Sequence, residues 1–206
     1  MHHSRRLLVV PVAVVALALT ACGSEDASSD APAAGEQADS NFNDADVVFA
    51  QSMIPHHEQA VDMAELALAA DAAASAEIVA LATAIQGAQG PEIVLMRSLL
   101  DSWGQPAEMS GMEGMEGMGS DEMDGMDHGG MEGMMSVEEM AALVTLTGAD
   151  FDRAWAEMMI RHHEGAIAMA QTVLDSGTNP DVDLLADQVI SAQQAEIEQM
   201  RALLAG

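Results

Sequence analysis

Two adjacent histidine pairs occupy equivalent places in this sequence. The first pair lies in SMIPHHEQAVDMA (52–64), and the second lies in EMMIRHHEGAIAMA (157–170). In each copy a methionine lies three residues before the pair, and another lies six residues after it. Imidazole nitrogens and thioether sulfurs can both bind soft metal ions. The candidate metal ligands are therefore Met53, His56, His57, Met63, Met159, His162, His163 and Met169.

A single histidine on an apolar helix face is usually a hydrogen-bonded core residue, and a methionine stripe is usually packing. Two duplicated pairs are different, because four imidazoles in a core with few aromatic residues all need partners. Zinc sites without cysteine usually add carboxylate and water, and di-iron bundles use Glu-x-x-His, which this sequence lacks. Methionine favours Cu(I) and histidine accepts either oxidation state, so the residues favour copper.

A third group of thioethers lies between the two copies. This stretch is rich in glycine and acidic residues and too polar to fold by itself. Met-x-x-Met spacing in such a chain would let several thioethers wrap one soft cation, and the alternative is a low-complexity linker. The auxiliary copper ligands predicted here are Met109, Met112, Met115, Met118, Met123, Met126, His128, Met131, Met134 and Met135.

The histidine pairs belong to a longer internal repeat. The two copies align at an offset of 106 residues, and AQGPEIVLMRSLL (88–100) then pairs with AQQAEIEQMRALL (192–204). Each copy reads as two helices joined in a hairpin, and neither hairpin can bury its apolar face alone. We therefore predict an all-α protein, an antiparallel four-helix bundle made of two repeated hairpins.

Local signals predict the ends of these helices. Asn43 or Asp44 should cap a first helix that ends near Ala69, and a second should run from about Ala73 to Trp103. Asp150 should cap the third helix, and Pro180 should open the fourth. Ser136 and Glu139 have capping-box spacing, so a short extra helix should precede the second hairpin. Pro55 should bend the first helix and make the two histidine sites unequal.

The N-terminus resembles a lipoprotein export signal. A basic start is followed by the apolar run LLVVPVAVVALAL and by LTAC, whose last residue, Cys22, is the only cysteine. We expect Cys22 to be lipidated and to hold the protein at the outer face of the bacterial cell membrane. The predicted segments are a signal peptide (1–21), a disordered tether (22–41), the first hairpin (42–103), a Met-rich loop (104–135), and the short helix with the second hairpin (136–206).

The charge balance restricts the partners. Six Lys and Arg face 34 Asp and Glu, giving a formal net charge of −28. Nucleic acid is therefore an unlikely partner, because it requires clustered basic residues. Cations such as copper ions are favoured, although most of the acidic residues need serve only solubility.

The stretches MIPHHEQAVDMA and MIRHHEGAIAMA resemble the signature of the family called domain of unknown function 305. Members have a ferritin-like helical bundle and include exported bacterial copper-binding proteins. The resemblance covers about residues 42 to 205, apart from the Met-rich insertion. It implies that the ligands are Met53, His56, His57, Met159, His162 and His163.

Three functions remain open at this stage. The preferred one is a non-enzymatic protein that sequesters or buffers copper, with an unknown copper-receiving protein as a further partner. The second is a metal-dependent oxidase of Cu(I) or another small substrate, for which only Glu92 and Glu196 are plausible inward acids. These two residues are at least as well explained as solvent-facing helix charges. The third is an anchored interaction module without metal.

Overall fold

The computed structural model describes residues 41–108 and 132–206, and within these ranges it contains helices and no strands. The five α-helices are α1 (Asp44–Leu68), α2 (Ala76–Ser102), α3 (Val137–Val144), α4 (Gly148–Ser176) and α5 (Pro180–Ala205). The predicted all-α class is confirmed. Several predictions lie outside the described residues, namely those for the signal peptide, the tether, Cys22, Met109, Met112, Met115, Met118, Met123, Met126, His128 and Met131.

Most helices begin where the local chemistry predicts. Asn43 caps α1 in a capping box with Asp46, and Ser136 caps α3 in a capping box with Glu139. These side chains satisfy backbone N–H groups that have no partner in the first turn. Asn179 caps α5, whose first residue is Pro180. Pro55 lies inside α1, which continues through it as one helix.

Two predicted helix starts are wrong. The second helix begins at Ala76 with Ser75 as its cap, because a 3-10 turn at Ala70–Ala72 and a left-handed Ala73 take up the preceding residues. The first helix of the second hairpin, α4, begins at Gly148, before the predicted cap Asp150. Gly148 has a φ of +59°, which glycine adopts without strain, so the chain enters the helix earlier. Asp150 instead lies in the first turn, where its charge suits the helix dipole.

The helices form the predicted two hairpins. α1 packs against α2, α4 packs against α5, and the hairpins meet along α1 and α4. The small side chains of α1 at Ala60, Ala64 and Ala67 are buried, as are those of Ala166 and Ala170 on α4, and small side chains allow helices to approach closely. The Trp155 indole N–H donates a 2.8 Å hydrogen bond to the Met63 carbonyl, which ties α4 to α1.

Side-chain contacts repeat with the sequence. Arg97 on α2 pairs with Glu58 on α1, and Arg201 on α5 pairs with Glu164 on α4 at 2.6 Å. All four side chains are largely exposed, so each pair adds little stability. Their value here is diagnostic, because the same contact closes both hairpins and shows that the two copies fold alike.

Among the described helices, α2 alone has the length and apolar composition of a membrane span, with a mean hydropathy of 1.3. Core helices of soluble proteins share this property. α2 packs against α1 within the bundle, which buries part of its apolar surface, whereas Val79, Val94 and Leu95 are exposed.

Candidate metal centre

All four paired histidines are fully buried where the two hairpins meet. His56 and His57 lie on α1, His162 and His163 lie on α4, and each has 0% exposure. The rings of His56 and His162 have centroids 3.8 Å apart and are tilted by 39°. The centroids of His162 and His163 are 6.3 Å apart. The fold therefore brings residues 106 positions apart into direct contact.

His57 and His163 each contact a glutamate carboxylate. In both cases the glutamate lies on the second helix of the same hairpin. His57 Nε2 lies 2.8 Å from Glu92 Oε2, and His163 Nε2 lies 2.7 Å from Glu196 Oε2. The two glutamate side chains are only 18% and 13% exposed. The solvent-facing interpretation of Glu92 and Glu196 is therefore wrong, because both point inward onto imidazole rings.

A short segment of the chain crosses the histidines. We call residues 132–135 the strap. The Glu132 carbonyl lies 3.2 Å from His56 Nε2. The Gln59 amide donates to the Met135 carbonyl at 2.8 Å and accepts from the Met135 N–H at 2.7 Å. On the α4 side the strap lies directly against Gly165, where a Cβ would stand 1.9 Å from the Glu132 carbonyl oxygen.

Five ring nitrogens in this cluster have no hydrogen-bond partner among the described residues. They are His56 Nδ1, His57 Nδ1, His163 Nδ1 and both ring nitrogens of His162. Buried polar atoms are nearly always paired in proteins, and an unpaired one is destabilising. A bound metal ion would satisfy several of these nitrogens together, so this donor set fits a metal that accepts imidazole.

The central histidines are held neutral. Burial lowers the pKa of His56 from 6.5 to about 3, and electrostatic repulsion from His57 acts in the same direction. Burial also lowers the pKa of His162 well below its usual value, and repulsion from His56 and His163 acts in the same direction. A neutral imidazole keeps one lone pair free, and metal binding requires that lone pair.

The candidate methionines lie in the two apolar clusters of the core. Met53, Met63 and Met159 are fully buried, and Met169 is partly buried. Met63 and Met159 belong to one core cluster, whereas Met53 belongs to a second cluster against which Met169 packs. Each cluster therefore receives one candidate methionine from α1 and one from α4.

Several polar and sulfur-bearing residues of the interior were not included in the predicted ligand set. Met96 and Met200 are fully buried, and Gln89 and Gln193 are nearly so, with unpartnered amide atoms. All four lie at equivalent positions of the second repeat block, which is the signal that identifies them.

Two methionines of the predicted auxiliary set, Met134 and Met135, lie within the described residues. Met134 is partly buried, and the sulfur of the buried Met135 accepts a 2.8 Å contact from the Arg161 guanidinium.

Within residues 41–108 and 132–206, no three His, Cys, Asp or Glu side chains converge as a preformed metal site. Nε2 of His57 and of His163 lies against a glutamate, and the rings of His56 and His162 lie against each other. The imidazoles are thus gathered in one place without a preformed set of three ligands among the described residues.

The strap provides a direct test of its own packing. We expect Gly165→Ala to destabilise the protein by about 1–3 kcal/mol, because the added methyl group would overlap the strap backbone. The strap should also lose its hold on Gln59, so the Met135 amide should exchange faster with solvent. Urea unfolding and amide hydrogen exchange measure these two effects.

Gly87→Ala is the matched control. A Cβ at this helical glycine, which no proline follows directly, meets no atom within 4 Å, so alanine should stabilise α2 by about 0.5–1 kcal/mol. Opposite signs for the two substitutions would confirm the close approach at Gly165, and equal signs would contradict it.

Comparisons with known proteins agree with the helical-bundle fold. The model of the family described as Domain of unknown function (DUF305) matches residues 46–204. A DUF305 protein from Streptomyces coelicolor that is predicted to be secreted is 32% identical, with a TM-score of 0.65, and the match covers 78% of this chain and 92% of that one. A DUF305 fragment from Deinococcus radiodurans is 34% identical, with a TM-score of 0.64 and coverages of 79% and 97%.

A third similar structure carries metal. CopM in its Cu(II)-bound form is 34% identical, with a TM-score of 0.61, and the match covers 77% of this chain and 94% of that one. CopM has also been solved in a Cu(I)-bound form and in an apo form. No curated protein matches the chain.

Proposed function

The chain belongs to the DUF305 family, and from that premise we propose that it is an exported, membrane-anchored protein that sequesters or buffers copper. The carrying observation is the buried histidine cluster, in which five ring nitrogens lack partners among the described residues. A core of this kind is costly unless another group completes it. The solved copper-bound forms of the similar protein CopM support copper as that group.

The donor types support both oxidation states. Neutral imidazoles bind Cu(I) or Cu(II), and buried thioethers favour Cu(I). His56, His57, His162 and His163 would supply nitrogen, and the neighbouring methionines would supply sulfur. We place the Met-rich loop in the same function, as an auxiliary collector whose carboxylates attract cations.

We also propose attachment at the outer face of the cell membrane through lipid on Cys22. The LTAC sequence supports the lipid anchor, and the similarity to a Streptomyces protein that is predicted to be secreted supports a location outside the cytosol. An acidic chain on such an anchor would concentrate cations near its ligands, which suits copper homeostasis outside the cytosol.

The test is a copper titration of the wild type and of a variant with all four paired histidines replaced by alanine. Cu(I) is added without oxygen, and Cu(II) is added in air. We expect the variant to lose at least about a hundredfold in affinity at the core site while its helical circular dichroism is retained. Copper should raise the melting temperature of the wild type by mass action and leave that of the variant unchanged.

Deleting residues 109–131 separates the loop from the core in the same titration. Thioethers discriminate against the harder ion, so this variant should hold fewer Cu(I) ions and bind Cu(II) as before. Unchanged copper binding by the four-alanine variant, with its fold intact, would exclude the histidines as ligands and refute the proposed core site.

A metal-dependent oxidase is the alternative, and one observation favours it. Glu92 and Glu196 contact imidazoles in the core, and carboxylate–imidazole pairs can relay protons in catalysis. We propose binding without catalysis, because every side chain of the cluster has a role as ligand or partner. Oxygen consumption by the copper-loaded chain with excess Cu(I), lost on replacing either glutamate, would decide for the oxidase.

A further inference from the structure

Three of the four histidines use the same ring nitrogen, Nε2, for their hydrogen bond. In His56, His57 and His163 the Nε2 atom contacts an oxygen, at distances of 3.2, 2.8 and 2.7 Å. In the same three rings Nδ1 has no partner among the described residues. The shared pattern means that the fold treats the two nitrogens of each ring differently.

For His56 the proton position follows from the partner. The Glu132 carbonyl oxygen can only accept a hydrogen bond, so Nε2 of His56 must donate it. A neutral ring with a proton on Nε2 has its lone pair on Nδ1. His56 therefore directs a free lone pair at the interior.

The two glutamates also favour a proton on Nε2, with a carboxylate as the acceptor in place of a backbone carbonyl. A carboxylate is an acceptor, so Glu92 and Glu196 favour a proton on Nε2 of His57 and of His163. Both contacts run between the two helices of one hairpin, and both occur at equivalent positions of the repeat. The exposed pairs Glu58–Arg97 and Glu164–Arg201 also repeat, but the glutamate–histidine contacts differ from them in ending on fully buried rings.

Carboxylate partners of this kind orient metal-binding histidines in general. They fix the tautomer and the ring orientation, and they raise the basicity of the other nitrogen. Without such a partner an imidazole would exchange its proton between the two nitrogens and turn about its χ angles. The buried position of both rings leaves the glutamates as the groups that decide between the tautomers.

On these grounds, and resting on the proposed copper function, we infer that Glu92 and Glu196 are positioning residues that make Nδ1 the metal-binding nitrogen of His57 and His163. They do not bind the ion themselves. Each acts through its histidine, from the side of the ring opposite to the ion.

The copper-free full chain gives the first test, by two-dimensional NMR of ¹⁵N-labelled histidines. We expect the wild type to show His57 and His163 as the tautomer protonated on Nε2. Glu92→Ala and Glu196→Ala should each shift their own histidine to a mixture of tautomers and leave the other unchanged. Glu92→Gln should restore the wild-type pattern, because its amide oxygen can still accept the hydrogen bond.

Copper-loaded protein gives the second test. On addition of Cu(I), which is diamagnetic, the Nδ1 resonances of His57 and His163 should move and their Nε2–H signals should persist. The double alanine variant should lose about tenfold to a hundredfold in copper affinity. Glu58→Ala with Glu164→Ala is the matched control, since these exposed glutamates adjoin the same histidines and pair with arginines; its affinity should change by less than about threefold.

The outcomes separate this inference from the proposed function. Rings protonated on Nδ1 or on both nitrogens in the copper-free wild type would overturn the inference, and so would copper shifts at Nε2. Absence of any copper binding would instead refute the proposed function, while the tautomers of the copper-free chain would still be measured.

Discussion

Replacing His56 and His162 together by leucine is expected to stabilise the copper-free protein while removing its core copper site. Three ring nitrogens of this pair have no partner among the described residues. Each unpaired buried group costs about 1–3 kcal/mol, whereas an apolar side chain of similar size removes that cost. Allowing for imperfect packing and for the lost contact with Glu132, we expect the free energy of unfolding to rise by about 1–3 kcal/mol.

Urea unfolding without copper measures the gain, and the melting temperature with and without copper measures the loss. The stabilised variant should no longer respond to copper at its core. The control is the leucine double variant of His57 and His163, which leaves Glu92 and Glu196 without their partners and should not gain stability. A destabilised central variant that still binds copper in its core would show that these rings serve packing.

The second large effect is a loss of stability in acid. The pKa of His56 is lowered to about 3 and that of His162 is also lowered, against 6.5 for a free histidine. Below pH 6.5 the unfolded chain therefore binds protons that the folded chain refuses, so stability falls as the pH falls. Each of these histidines should contribute a slope of about 1.4 kcal/mol per pH unit between pH 6.5 and its folded pKa, and should contribute none above pH 6.5.

Urea unfolding of the copper-free chain between pH 7.5 and pH 4.5 measures this slope. Protonation of the many carboxylates also affects stability in acid, but it does so in any variant that keeps them. The difference between the wild type and the His56, His162 leucine variant therefore isolates the histidines. The wild type should lose stability faster, and parallel curves would contradict the assignment of buried neutral rings.

The architecture could be predicted because the sequence states it twice. Capping residues and a repeated block can be recognised in the sequence, and they predicted both hairpins. The start of α4 was missed because a single glycine with positive φ outweighed a good capping residue. Local preference decides helix ends only when the adjoining turn agrees with it.

The site was predictable in part. The duplicated motif identified the four histidines as candidate ligands, but the sequence could not say whether Glu92 and Glu196 turned inward, since that depends on contacts across a hairpin. The position of the strap could not be predicted from the sequence for a similar reason. Its partners, Gln59 and Gly165, are distant in sequence and carry no motif that marks them as a pair.

Gln59 and Gly165 are themselves equivalent residues of the repeat, 106 positions apart, and they contact the same strap from two helices. A dimer of two identical hairpins would carry two glutamines or two glycines there. Two glutamines would obstruct the backbone where it needs a glycine, and two glycines would leave the Met135 amide and carbonyl without a clamp. Because one polypeptide carries both halves, its two equivalent positions can differ, and the strap is held in a different way from each side, which no symmetric assembly of either half could reproduce.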